Sequence, residues 1–232
     1  MPETPIIGAV VINAEDHDRL VAFWKDLLGV EIAFSAGGAF TWLKPQREGG
    51  VALAIQGGAM MVQYRNKEGD ESMRQWEAQD LVNLCRPLGV PLIINDDVKL
   101  AQLVRAHGVH LGKEDANIAE ARAALGPGAI IGVSCYNELE RAIAAEQAGA
   151  DYVAFGSFFP STTKPQAAHA EISLLKEAKQ RLKIPVVAIG GITAENGAQL
   201  IEAGADLLAV INDVFGQSDI RAAAERIARL FE

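Results

Sequence analysis

The sequence predicts a parallel (β/α)8 barrel, and three observations carry that expectation. From position 59 onward, seven short runs rich in Val, Ile and Leu are apolar almost throughout, as strands buried on both faces must be. Segments with helical periodicity separate most of them, and alternation of this kind argues for a parallel sheet. Each run also ends in a polar or glycine cluster. In such a barrel the carboxyl ends of the strands converge on one face, where the chemistry sits.

The runs are Ala59–Arg65, Pro91–Asp96, Gly108–Gly112, Ala129–Ser134, Asp151–Gly156, Pro185–Gly191 and Asp206–Asn212. Glu138–Ala148 and Glu171–Arg181 read as two of the intervening helices. A recurrent joint precedes the strands at Gly57-Gly58-Ala59, Ala106-His107-Gly108, Gly149-Ala150-Asp151 and Gly204-Ala205-Asp206, where glycine serves as a left-handed helix cap. Seven strands leave the barrel one short, so the first must come from residues 1–56. Ile6–Asn13 is apolar and β-branched, and Glu15–Leu28 is amphipathic with Gly29 as its stop. Val30–Phe34, Phe40–Leu43 and Val51–Ile55 then read as an antiparallel meander inserted before the barrel resumes at 57–232. A variant of this reading pairs Val51–Gln56 antiparallel to Ala59–Arg65 across a Gly57-Gly58 hairpin turn.

With 232 residues, 50% hydrophobic and 22% charged, the chain can bury the core of one large domain. Its net charge of −9 argues against a nucleic-acid surface. No apolar stretch is long enough to span a bilayer, and Met1-Pro2-Glu3-Thr4 lacks a basic leader, so no membrane partner is expected. Two cysteines, Cys85 and Cys135, make no disulfide framework, and a reducing cytoplasm is the default location. The four histidines show no ligand spacing; His110 lies inside a strand and reads as a packed structural residue. Cys135 has no base to activate it and reads as a plain thiol, and Trp76 reads as packing a helix.

The strand ends carry the chemistry. Gln63, Arg65 and Lys67 alternate along one strand and face the same side. Arginine grips phosphate oxygens bidentately and lysine acts as a point charge; the alternative is a basic strand end meeting solvent. Asp96 and Asp115 end adjacent strands, and with substrate phosphates they would form the hard oxygen site that Mg2+ prefers. Helix N-capping is the alternative for these carboxylates, and it suits Asp97 best. Ser134 is either a ligand or a cap. Ser161-Thr162-Thr163-Lys164 offers hydroxyls and one cation, with a solvated loop lysine as the alternative for Lys164. Gly190-Gly191 and Ile211-Asn212 follow the last two strands, where barrels bind phosphate through backbone N–H groups.

From Gly57 onward the chain resembles the thiamine-phosphate synthase family in six motifs, in order: Val62-Gln63-Tyr64-Arg65-Asn66-Lys67, Ile93-Ile94-Asn95-Asp96, Val109–Asp115, Gly132-Val133-Ser134, Pro160–Lys164 and Ala188–Thr193. The resemblance implies a transferase that joins hydroxymethylpyrimidine diphosphate to thiazole phosphate, with Mg2+, giving thiamine phosphate and pyrophosphate. It makes Arg65, Lys67 and Lys164 pyrophosphate ligands and brings Gln63 to the pyrimidine. Asn95 would touch the diphosphate or pyrimidine, Ser134 the diphosphate, and Asp96 and Asp115 the metal. Ser161 and Thr163 would contact phosphate, and Gly191, Ile211 and Asn212 would dock the thiazole phosphate. The family has Thr at the place of Ser161 and more often Ser at that of Asn212.

Residues 6–56 resemble one βαβββ module of the vicinal oxygen chelate superfamily, through Asp18–Gly29, Trp42–Gln46 and Leu53–Gln56. That superfamily places His or Glu near the start of its first strand; Ile6–Asn13 has neither, so the module reads as scaffold. The chain thus reads as a splice near Gln56–Gly57, recombinant or engineered. One competing expectation is a chimera with a vestigial phosphate site and little activity. Another is a thiazole tautomerase-like barrel, which Asp96, Asp115, Arg65 and Lys67 disfavour. Exposed strand edges of the module could also pair two chains into a homodimer.

Overall fold

The computed structural model describes residues 10–14, 31–36, 40–44, 50–67, 70–115, 117–160 and 168–232. The strands are β1 (Val10–Ala14), β2 (Glu31–Ala36), β3 (Phe40–Lys44), β4 (Val62–Asn66) and β5 (Leu92–Asn95), then β6 (Gly108–Leu111), β7 (Ile130–Tyr136), β8 (Tyr152–Phe155), β9 (Val186–Ile189) and β10 (Leu207–Ala209). The helices are α1 (Gly50–Gln56), α2 (Glu71–Cys85), α3 (Val98–Val104), α4 (Ile118–Leu125) and α5 (Leu139–Gln147), then α6 (Ser173–Arg181), α7 (Ala198–Glu202), α8 (Asn212–Phe215) and α9 (Ile220–Ala228). Eight strands form one parallel sheet in the order β1-β4-β5-β6-β7-β8-β9-β10. β1, expected at Ile6–Asn13, lies beside β4 with Val10 opposite Val62 and Ala14 opposite Asn66. The helix expected at Glu15–Leu28 lies outside the described residues.

The meander is corrected. β2 and β3 pair antiparallel, with Ala36 opposite Phe40, but the third strand expected at Val51–Ile55 is the helix α1. The βαβββ reading of residues 6–56 loses its last strand with it, and so does the hairpin variant across Gly57-Gly58. Alternation of Val, Leu and Ile with Ala suits either period, and packing against α9 decides. Gly57 sits so close to α9 that a Cβ there would lie 2.5 Å from the Arg221 carbonyl oxygen and 2.7 Å from the Ala224 Cβ. Gly58 then takes a positive φ of 104°, and Ala59 N donates to Ala54 O at 2.9 Å, closing the helix as a left-handed cap. Gly57→Val is therefore expected to lower thermal stability by roughly 1–3 kcal/mol, as overpacking does. Calorimetry reads this directly, and an unchanged midpoint would show that α1 can move away from α9 freely.

The same joint recurs with a second layer of bonding. Gly149 and Gly204 take positive φ, while at the Ala106-His107-Gly108 joint Arg105 does so instead. Gly108 is no cap: it lies in β6, where any Cβ would overlap the Ile130 carbonyl. The residue that enters each strand then caps the strand alongside. Asp151 Oδ2 accepts from Ile131 N at 2.7 Å, Asp206 Oδ2 from Val186 N at 2.9 Å, and His107 Nδ1 from Leu92 N at 3.0 Å. These bonds satisfy N–H groups at the entry of buried strands, which would otherwise be left without a partner.

Strand alternation divides the core into two layers. One face of the strands, with Val62, Leu92, Ile94, Val133, Val153, Phe155 and Leu208, packs on helical residues such as Leu81, Leu100, Leu175, Leu200 and Ile227. The other face holds Tyr152, Ala154, Val187 and Ala209 inside the curled sheet. Gln63 and Arg65, one step out of phase with Val62 and Tyr64, share that inner side. Trp76, expected to pack against a helix, stands on α2 with more than a third of its surface exposed. No helix among the described residues is long and apolar enough to cross a membrane.

Candidate active site

The carboxyl ends of β4, β5 and β6 build the charged half of the site. Arg65 is buried on β4, and Lys67 follows at the strand end with its side chain 57% exposed. Lys67 Nζ stands 3.5 Å from Asp96 Oδ2. Asp96 follows β5 at φ 65°, a left-handed conformation unusual for a residue with a side chain, and its N–H donates to His110 O at 2.8 Å. Asp115 follows β6 and accepts from Gly112 N at 2.5 Å. A Cβ on Gly112 would lie 2.7 Å from that carboxylate, so any side chain there would push Asp115 aside.

The Asp96 and Asp115 carboxyl groups stand close to one another. Burial first, then this neighbouring carboxylate, hold the Asp96 carboxyl above its usual range, while Lys67 and Arg65 pull it back. Two oxygen ligands crowded against each other, in a site with cations beside them, suit a hard divalent ion that binds through one or two carboxylates plus substrate oxygens. Among the described residues, no group of three or more His, Cys, Asp or Glu offers a fuller cage. The donor set therefore fits Mg2+, which Asp96 and Asp115 would hold.

The capping alternatives resolve. Asp97, not Asp96, caps α3, accepting from Leu100 N at 2.9 Å. Asn117 caps α4, and Asp115 does not. Ser134 caps nothing: it lies within β7, and its Oγ stands 2.8 Å from His110 Nε2. His110 is buried, as a packed strand residue should be, but it is not inert filling. Its Nδ1 lies 2.9 Å from the Tyr152 hydroxyl, and Gln63 stands beside that hydroxyl. Both cysteines are buried with thiol pKa pushed up to about 12, chiefly by burial. They take no part.

Behind the charged half, Tyr64 and Asn66 on the opposite face of β4 both donate to Glu77 Oε2 of α2, at 2.5 and 3.0 Å. Arg74 on the same helix reaches Asp97 at 3.3 Å. These contacts fix β4 to α2 and so hold Arg65 and Lys67 in place. Arg141 of α5 does the same farther along, donating to Ser134 O at 2.7 Å and Gly112 O at 2.9 Å. Neither Tyr152 nor Arg141 was legible as part of the site, because one looks like core and the other like a helix surface charge.

The other half lies at β9 and β10. Gly190 and Gly191 have φ of 104° and 62° and pack under Ser157, Phe159 and Pro160, leaving no room for a Cβ. Asn196 bonds Gly191 O at 2.9 Å and receives Thr193 N at 2.8 Å. Ala194 N donates to Asp213 Oδ2 at 2.9 Å, which ties the turn after β9 to the one that Ile211 and Asn212 form after β10. Asn95 ends β5 opposite His110. Ser161, Thr163 and Lys164 lie outside the described residues.

A family model described as thiamine monophosphate synthase matches residues 45–214 and takes in helix α1. The thiamine-phosphate synthase of Thiobacillus denitrificans is 56% identical over 181 residues, covering 78% of this chain and 86% of that protein. That of Nitrosococcus oceani is 56% identical over 188 residues, with coverages of 80% and 87%. The thiamine phosphate pyrophosphorylase from Pyrococcus furiosus superposes with a TM-score of 0.75 at 31% identity, over 97% of this chain and 95% of that one. A 3-hexulose-6-phosphate synthase, at 12% identity and a TM-score of 0.64, shares the fold.

Proposed function

The chain belongs to the thiamine-phosphate synthase family, and on that premise we propose that it joins hydroxymethylpyrimidine diphosphate to thiazole phosphate, forming thiamine phosphate and pyrophosphate. The observation that carries this reading is the carboxylate pair Asp96–Asp115 with Lys67 and Arg65 around it, at the carboxyl ends of adjacent strands. A leaving pyrophosphate takes the bonding electrons with it, and that growing charge must be neutralised where it forms. Arg65 supplies a two-pronged donor and Lys67 a cation, and Lys164 would add a second ammonium to the same oxygens. Asp96 and Asp115 would hold Mg2+, which would supply charge neutralisation to the diphosphate.

Gln63 and Asn95 orient the pyrimidine, and Ser134 bonds the diphosphate. Gly191, Ile211 and Asn212 receive the phosphate of the thiazole through main-chain N–H groups after β9 and β10, and the Ser161 and Thr163 hydroxyls add phosphate contacts. Holding the two substrates in one water-poor pocket converts their encounter into a positioned reaction, which supplies much of the rate enhancement. The protein works in the reducing cytoplasm, where its two buried thiols stay free.

The test is an assay of purified protein with both substrates and Mg2+, following thiamine phosphate and pyrophosphate together. Stoichiometric formation of both, abolished by chelator, is the expected result. Protein that binds pyrophosphate but makes no thiamine phosphate would reduce the site to a vestige.

A further inference from the structure

Inside the curled sheet, four strands contribute one buried polar chain. Gln63 of β4 stands beside the Tyr152 hydroxyl of β8, which lies 2.9 Å from His110 Nδ1 of β6; His110 Nε2 lies 2.8 Å from Ser134 Oγ of β7. Gln63, His110 and Tyr152 are all buried. The His110 and Tyr152 rings stack with centroids 5.5 Å apart. Room for the Tyr152 ring comes from Gly132, where any Cβ would overlap the phenol. β7 shifts register between Ser134 and Tyr136, an irregularity of the kind that re-aims a side chain beside a site. The chain thus starts at the expected pyrimidine contact and ends at the expected diphosphate contact, and neither Tyr152 nor His110 has a part in the chemistry described so far.

We propose that Tyr152 and His110 are positioning residues, which fix the Ser134 hydroxyl as a hydrogen-bond donor to the diphosphate and tie its orientation to Gln63. The proposal rests on the reading that Ser134 meets the diphosphate. Hydrogen-bond direction carries the rest. Gln63 stands beside the phenol, and in this arrangement its amide N–H donates and the phenol oxygen accepts. Burial nevertheless raises the Tyr152 pKa well above the ordinary range, so the phenol keeps its proton. In the proposed arrangement that proton is given to His110 Nδ1, 2.9 Å away. A neutral His110 with an accepting Nδ1 carries its hydrogen on Nε2 and donates to Ser134 Oγ. Ser134 Oγ, already accepting from the imidazole, presents its own hydrogen to the pocket. In the opposite direction Ser134 would donate to His110 and show an anion only lone pairs. A packing role alone needs no such alignment.

The experiment uses Ser134→Ala, Tyr152→Phe and the double variant, with inorganic pyrophosphate and Mg2+ as the titrated probe. Tyr152→Phe keeps the ring that fills the space over Gly132. Ser134→Ala is expected to weaken pyrophosphate about tenfold, as loss of one bond to a charged group does. Tyr152→Phe should weaken it several-fold with the KM for thiazole phosphate unchanged, and should add nothing in the Ser134→Ala background. An equal Tyr152→Phe effect in both backgrounds, or none in either, overturns the proposal. Native binding by Ser134→Ala overturns it together with the placement of the diphosphate at Ser134. Independently of any substitution, 15N shifts of the His110 ring in the native protein report its tautomer. The Nε2–H form supports the relay, and the Nδ1–H form refutes it.

Discussion

Asp96→Asn is expected to cut turnover on the order of a thousandfold and, at the same time, to make the metal-free protein more stable. The two effects share one cause. Asp96 is held above the usual carboxylate range by burial and by Asp115 beside it, so the folded state resists its ionisation. For a carboxyl raised in this way, the stabilising contribution is fully present below the ordinary pKa and is lost as pH rises through the folded one. At neutral pH the charge is a net cost to the apo fold. Asparagine removes it, and it accepts the left-handed backbone at φ 65° as readily as aspartate does. The expected readout is a higher melting midpoint for the apo variant at neutral pH.

That advantage should shrink toward pH 4 and reverse when Mg2+ is added, because only the native pair gains from the ion. Loss of a metal ligand removes about 4 kcal/mol of transition-state stabilisation, which is the source of the thousandfold figure. Thermal scans at pH 4 and 7, with and without Mg2+, separate the components. An apo variant less stable than native at pH 7 would mean that Asp96 is a structural partner rather than a strained ligand.

The half of the site that the sequence displayed is the half governed by local rules. Strand alternation alone puts Gln63 and Arg65 on one side of β4, and the carboxyl ends of parallel strands gather Asp96, Asp115 and Ser134 without any distant information. Asp97 was legible as a cap because capping is a local event. Val51–Ile55 was misread because its residues suit two periods, and the arbiter, Ala224 against Gly57, lies far along the chain. Tyr152 was invisible for the same reason. A tyrosine at the start of an apolar run looks like core, and the partners that give it a polar role stand on β4 and β6. His110 was placed inside a strand and buried, both of which hold, but its hydrogen bonds to Tyr152 and Ser134 depend on strand order that no local pattern contains.

Arg65→Lys is expected to lower kcat/KM for the diphosphate substrate on the order of a hundredfold with the KM for thiazole phosphate near native. Charge is conserved in this substitution, so the loss isolates geometry. Lysine offers a single ammonium where the planar guanidinium grips two oxygens at once, and a buried site gives a shorter, flexible chain no solvent to complete its hydrogen bonding. Arg65→Met is the informative companion. It removes the charge as well, and the Arg65 charge is one of the two that hold the Asp96 carboxyl down. Without it Asp96 ionises less readily, so Mg2+ should bind more weakly and need higher pH, whereas Arg65→Lys should leave the metal affinity close to native. Titration of Mg2+ into both variants, monitored by calorimetry at two pH values, tests the difference. Equal metal affinities in the two would show that Arg65 serves the diphosphate alone; a weaker metal in Arg65→Met would show that one buried cation both grips the leaving group and keeps its metal ligand charged.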